Sequence, residues 1–243
     1  MSGPIYAVGD IHGYTDELER ALELIERDGG ANAETIFVGD YVDRGPDSAG
    51  VLDILIEGQA EGRNWITLKG NHDRLFEWFM EDPPRNDPHL LVGLHWFHER
   101  IGGLETMGSY GVSLKKQMRL KELHTEAREN VPQSHVDFLR SLPLKHETPD
   151  LFFVHAGIRP GIDLDAQEEE DLLWIRTPFH RETRAHPKLI IHGHTPVDHA
   201  THYGNRVNLD SGAGYGSPIS VAVFEGTQSW VLTANGRQKI RRG

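Results

Sequence analysis

The chain has 243 residues, of which 25 are basic and 37 acidic, for a formal charge of −12, with 15 histidines and no cysteine. The missing cysteines exclude disulfides, thiolate metal ligands and a cysteine nucleophile, so phosphate chemistry through a phosphocysteine is out. The acidic balance opposes binding to long nucleic acid, whose affinity comes mainly from phosphates neutralised by lysine and arginine; an anionic substrate would have to be drawn by local charge. No apolar run reaches the roughly 18 residues that a membrane span needs. The opening stretch, residues 1–10, has neither a basic leader nor an apolar segment, so a cytoplasmic protein without a membrane partner is expected.

Ile5 to Val8 is an apolar run ending in Gly9-Asp10, which predicts a buried strand entering a loop. A helix should follow, capped by Thr15, with Asp16 and Glu17 in its first turn and Leu18, Ala21, Leu22 and Ile25 on one face, stopped by Gly29-Gly30. The same order recurs: Thr35 to Val38 leads into Gly39-Asp40, and Pro46-Asp47-Ser48 opens a helix carrying Val51, Leu52 and Leu55. Trp65 to Leu68 then leads into Gly70-Asn71-His72-Asp73 and a helical pattern through Leu75, Phe76 and Phe79. Each strand thus ends in glycine and polar residues, where open α/β sheets place their ligands.

Residues 83–146 break the pattern, with Pro83-Pro84, scattered charge and helical stretches around Leu114–Leu123 and Val136–Leu142; they predict a mostly helical cap inserted into one domain spanning 1–243. Lys115, Lys116, Arg119 and Lys121 form a basic stretch there, read first as a solvated helix face and second as a holder of extra phosphates. Apolar runs resume at Leu151–Val154 and Leu189–Ile191, which deliver His155 and His194 at strand ends. Val207–Leu209, Ile219–Phe224 and Trp230–Leu232 suggest an antiparallel meander, and Arg237–Gly243 a loose basic tail.

The chemistry-bearing motifs fall in order: GDIHG at 9–13, GDYVDRG at 39–45, GNHD at 70–73, VHAG at 154–157 and GHTP at 193–196. Any one alone would be ordinary turn chemistry; five in order carry information. Carboxylate and imidazole donors without sulfur suit divalent manganese, iron or zinc. Asp10 and His12, two apart on what is read as an extended segment, would face one side and grip one ion.

Together these motifs resemble the calcineurin-like metallophosphoesterases, over roughly residues 5–215, and GDYVDRG is similar to the phosphoprotein phosphatase branch. The resemblance implies a four-layer α-β-β-α sandwich, an α/β fold with two metal ions, manganese first, at the strand ends. It implies that Asp40 bridges both ions and that Asn71, His155 and His194 complete the second. It further implies a bridging water acidified by both ions that attacks phosphorus in line. Two dications, less Asp10, Asp40 and a hydroxide, leave about +1 locally, and two arginines raise this to about +3. Arg44 should grip phosphate oxygens, His72 protonate the leaving oxygen, and Asp43 orient His72. LLWIR, ending at Arg176, resembles the region that supplies a second arginine.

His192 is read as a core residue rather than a ligand. Many such enzymes carry Gly-His-x-His, whose last histidine serves the first ion, whereas Pro196 stands there in this chain. The resemblance favours a serine/threonine protein phosphatase acting on a phosphorylated protein or small phosphoester. The alternative is a diadenosine tetraphosphate hydrolase, which shares the first three motifs. A non-catalytic metal-bound scaffold is the remote third, opposed by Arg44 and His72, which a binding module would not need.

Overall fold

The computed structural model describes residues 3–92, 94–112 and 119–243. Lys115 and Lys116 lie outside the described residues; Arg119 and Lys121 are exposed. The strand-loop-helix unit appears three times: β1 (Ile5–Val8) and α1 (Thr15–Gly29), β2 (Thr35–Phe37) and α2 (Ser48–Ala60), β3 (Trp65–Thr67) and α3 (Asn71–Phe79). There follow α4 (Gly103–Ser109), α5 (Leu120–Asn130), α6 (Gln133–Ser141), β4 (Lys145–Glu147), β5 (Leu151–Val154), α7 (Glu169–Trp174) and β6 (Leu189–His192). The chain closes with β7 (Thr201–His202), β8 (Arg206–Asn208), β9 (Val221–Glu225), β10 (Gln228–Thr233), β11 (Gly236–Lys239) and β12 (Arg241–Arg242).

Two six-stranded sheets result, ordered β11-β10-β9-β1-β2-β3 and β12-β7-β8-β6-β5-β4. Strands β1, β2 and β3 run parallel, as do β5, β6 and β8. Period-two alternation sorts the core into layers. Tyr6, Val8 and Phe37 face α1, α2 and α3 in one apolar cluster, while Ile5, Ala7 and Ile36 face Phe153, Ile191 and Val207 of the opposite sheet in a second. Phe152, Val154 and Ile190 pack outward against Leu172, Ile175 and Phe179 in a third. Three clusters between four layers make an α-β-β-α sandwich, whose fourth layer is thin: α7 and short 3-10 turns.

Several expectations are corrected. Thr15 is the first helical residue and Tyr14 the cap position, without a side-chain cap; Leu24 takes the buried place expected of Leu22, which is only partly buried. Asp47 caps α2, its carboxylate accepting from the Gly50 amide at 2.9 Å. The expected meander divides: β9, β10 and β11 form it, but β8 joins the other sheet parallel to β6. The tail is not loose. It forms β11 and β12, crossing from one sheet to pair with β7 of the other. The helices expected in the inserted segment pack onto the helical layer: Met107, Leu123, Val136 and Leu139 of α4, α5 and α6 share one cluster with Leu18, Leu52 and Phe76.

Candidate active site

Asp10, Asp40 and Asn71 follow the carboxyl ends of β1, β2 and β3, and His155 and His194 follow those of β5 and β6, so both sheets present polar side chains at one end of the sandwich. Glycine precedes all of these but His155, for lack of room: a Cβ on Gly70 would fall 2.2 Å from Asp40 Oδ1, and one on Gly193 1.9 Å from Asp10 Oδ1. The non-glycine residues with positive φ among those described are His12 (53°), Asp40 (55°), Asp43 (74°), Arg44 (70°) and His194 (67°), all in this site. Such backbone costs about 1–3 kcal/mol per residue and persists only where surrounding contacts enforce it. It also corrects the extended segment expected at Asp10–His12, since His12 sits in a left-handed turn.

Asp73 supplies much of that enforcement. Its carboxylate accepts from the backbone amides of Asp40 (2.9 Å), Tyr41 (2.9 Å) and Gly70 (2.8 Å), clamping the β2 and β3 loops together. Buried Arg74, next along α3, donates to Asp87, Glu169 and Glu170, which ties α3 to α7 and so sets the position of Trp174 and Arg176. Neither role was read from the sequence, although both residues stand in or beside the GNHD motif.

Two groups of buried donors converge, His12–Asp40–His72 and Asp40–His155–His194, with ligand atoms in each group within 4.8 Å of one another. Asp40 belongs to both. Asn71 Oδ1 joins the second group, 2.9 Å from His155 Nε2 and 2.7 Å from His194 Nδ1. Asp10 stands beside it, its carboxylate accepting from the His194 amide at 3.1 Å. His12 Nδ1 donates to the Val42 carbonyl and His155 Nδ1 to that of Val38, both at 2.9 Å, which orients each Nε2 inward. An all-oxygen-and-nitrogen set with oriented imidazoles fits hard or borderline divalent cations.

The electrostatics agree. Burial pushes the Asp10 carboxyl well above the usual range, and neighbouring Asp210 pushes it further, so this corner has an excess of negative charge. Burial also opposes charge on Asp40, but His155 and His72 hold it well below the ordinary value. Burial and Arg44 keep His12 neutral; burial, His155 and Arg176 do the same for His194. His155 is raised to about 9, because Asp40 and Asp10 outweigh its burial.

His72 Nδ1 lies 2.6 Å from Asp43 Oδ2. Burial pushes Asp43 up to about 8 and takes His72 down to about 3, shifts that both disfavour separated charge. Trp96 Nε1 donates to both Asp43 oxygens (3.0 and 2.9 Å), and Thr106 Oγ1 to Oδ1 (2.7 Å). Both partners come from residues 83–146; Thr106 stands in GGLETMGSYG at 102–111, a segment that resembles bacterial phosphoprotein-phosphatase-like proteins, and Trp96 in no motif. Arg44 Nη1 donates to His12 Nε2 (2.9 Å) and Nη2 to His72 Nε2 (3.1 Å), so its fork points at the imidazoles expected around the phosphate. Arg176 Nε donates to His194 Nε2 at 3.3 Å. Every residue singled out for the site is therefore brought together; His192 packs away from it, against Phe179 and His180.

Residues 3–216 match the family described as calcineurin-like phosphoesterase, and the chain belongs to that family. It is a metal-dependent phosphoester hydrolase. It is 25% identical over 236 residues, covering 88% of this chain and 87% of the relative, to the asymmetrical bis(5'-nucleosyl)-tetraphosphatase PrpE of Bacillus thuringiensis (strain Al Hakam). It is 35% identical over 173 residues, covering 68% of this chain and 50% of the relative, to the symmetrical bis(5'-nucleosyl)-tetraphosphatase of Aeromonas hydrophila. A solved structure of a candidate diadenosine tetraphosphatase superposes with a TM-score of 0.65 at 22% identity, over 96% of this chain and 94% of the other, a likeness of fold. No helix among the described residues is long and apolar enough to cross a membrane.

Proposed function

We propose that the protein hydrolyses dinucleoside tetraphosphates, in preference to the phosphoprotein substrates that GDYVDRG first suggested. The carrying observation is a pair of aromatic rings beside the two arginines. Tyr215, 68% exposed, lies with its ring centroid 4.9 Å from the Arg44 guanidinium carbon. Trp174 lies 6.0 Å from the His194 ring that Arg176 contacts. Phosphate-binding cations flanked by stacking faces suit a polyphosphate with a base at each end; a phosphoserine peptide offers no rings to stack. The relatives by sequence support the same reading.

In this reading Asp10, His12 and Asp40 hold one cation, and Asp40, Asn71, His155 and His194 the second, with manganese as the metal. Two such cations supply Lewis acidity toward phosphoryl oxygens and acidify water. Arg44 and Arg176 bind the phosphates, His72 delivers a proton to the leaving oxygen, and Asp43 holds His72 Nδ1. The segment 83–146 acts as the wall behind that dyad through Trp96 and Thr106.

The test is catalytic efficiency with manganese on diadenosine tetraphosphate, phosphoserine peptide and nitrophenyl phosphate, with products separated by chromatography. The tetraphosphate is expected to be strongly preferred, and Tyr215→Ala and Trp174→Ala to raise its KM without affecting nitrophenyl phosphate. A preference for the phosphopeptide would return the reading to a protein phosphatase.

A further inference from the structure

His89, in the segment 83–146, stacks its ring on Trp174, with centroids 5.4 Å apart and planes 15° from parallel. Trp174 in turn stands nearly perpendicular to the His194 ring at 6.0 Å, and Arg176, two residues further on, reaches His194 Nε2 through its Nε. Two flat rings are thus layered outward from the second donor group, and the outer one, His89, is exposed. Leu91 and Val92, just beyond it in the chain, also expose large apolar side chains.

The position of the outer ring is fixed by charge. His89 Nδ1 lies 3.1 Å from Asp87 Oδ1 and 3.1 Å from Glu170 Oε2, and its backbone amide donates to Asp87 Oδ1 at 2.9 Å. Both carboxylates are held in turn by Arg74, 1% exposed, at 2.7 and 3.0 Å. A ring tethered by one edge to a buried guanidinium loses little further freedom when a second ring is laid on its face. On the inner side, Trp174 Nε1 is buried without an acceptor in the protein, a cost that a phosphate oxygen near Arg176 would relieve.

Charge also decides what the platform takes. Asp87, Glu169 and Glu170 surround Arg74, so carboxylates outnumber cations there even with His89 charged. That rim repels phosphate and favours an uncharged ring. Trp174 presents one face to His89, so on that side the surface open to such a ring is the imidazole.

We infer that one base of the substrate stacks on the exposed face of His89, extending the Trp174–His89 stack by one ring, with the phosphates running back toward Arg176. The inference rests on the dinucleoside tetraphosphate reading and makes His89 a specificity-determining residue of that reaction.

Titrating the manganese-loaded full chain with α,β-methylene-ADP, and with methylenediphosphonate as its base-free counterpart, tests it. Wild type should bind the nucleotide about tenfold tighter, the size expected of one base on one ring. His89→Ala should erase that difference and leave the affinity for methylenediphosphonate unchanged. His89→Phe, which keeps a flat ring on Trp174, should retain it. Equal affinities in wild type, an undiminished difference in His89→Ala, or a loss in His89→Phe as large as in His89→Ala would each overturn the stacking role. A loss shared by both ligands would also overturn it, by making His89 a structural residue. The two failures are separable: a phosphopeptide preference in the turnover comparison rejects the tetraphosphate reading, whereas a preferred tetraphosphate with an undiminished difference in His89→Ala rejects only the position of the base.

Discussion

His72 Nδ1 and Asp43 Oδ2 stand 2.6 Å apart, and Trp96 and Thr106 saturate the same carboxylate. A carboxylate so fixed can only hold the ring, leaving Nε2 to meet the leaving oxygen. His72→Asn should therefore lose about 10²–10⁴-fold on a poor leaving group such as a serine phosphoester and much less on nitrophenyl phosphate, with metal content unchanged. Equal losses on both substrates, metals retained, would remove His72 from the acid role.

Trp96→Phe removes the indole donor from Asp43 and keeps an apolar ring stacked near Phe76. The expected outcome is about a tenfold loss with the poor leaving group and little change with nitrophenyl phosphate. A uniform loss across leaving groups would mark Trp96 as merely structural.

Asp40 contributes an oxygen to both donor groups. Chelation should abolish turnover and manganese restore it, and Asp40→Asn should lower metal content, read by atomic emission, more than His12→Asn does. Two metals per chain in Asp40→Asn, with wild-type turnover, would contradict a shared ligand.

Arg44 lies against two imidazoles and beside Tyr215. Arg44→Ala should raise KM and lower kcat together, because the guanidinium meets charge present in ground and transition states alike. Lysine should rescue poorly, since a point charge replaces a planar fork. Unaltered steady-state kinetics in Arg44→Ala would make it a structural residue.

Arg237 of β11 donates to both oxygens of Asp28 on α1, which also accepts from Tyr6 Oη. Arg237 hydrogen bonds outweigh partial burial and hold the Asp28 carboxyl below its ordinary 3.8. A depressed carboxylate stabilises above its unfolded value and loses that contribution as pH falls through the folded one. Arg237→Ala should thus cost about 1 kcal/mol near neutrality, and the melting-temperature gap from wild type should close below about pH 4. A gap independent of pH would assign the loss to packing.

The strand ends were legible because each announces itself locally, with an apolar run, a glycine and a polar residue. The three supports of the dyad were not equally so. Asp43 sits in a motif, whereas Trp96 and Thr106 reach it from 53 and 63 residues away in a stretch without periodicity. The tail misled for a related reason. Its charges read as solvated until a partner sheet edge was placed beside it, and edge pairing is a tertiary fact. His192 and His194, two apart, share strand parity; what separates them is that β6 ends at His192 and His194 sits in a left-handed turn, which the apolar run before them did not specify.

The left-handed backbone at His12, Asp40, Asp43, Arg44 and His194 sets selection for durability against selection for turnover. At about 1–3 kcal/mol each, five such residues amount to a large share of the roughly 5–15 kcal/mol by which folded domains usually exceed their unfolded chains. Glycine relieves that tension at no steric cost. A library sorted for heat resistance alone should accumulate glycine at half-buried Arg44, where little packing is lost, and the hardiest clones it returns should be the ones that no longer bind phosphate.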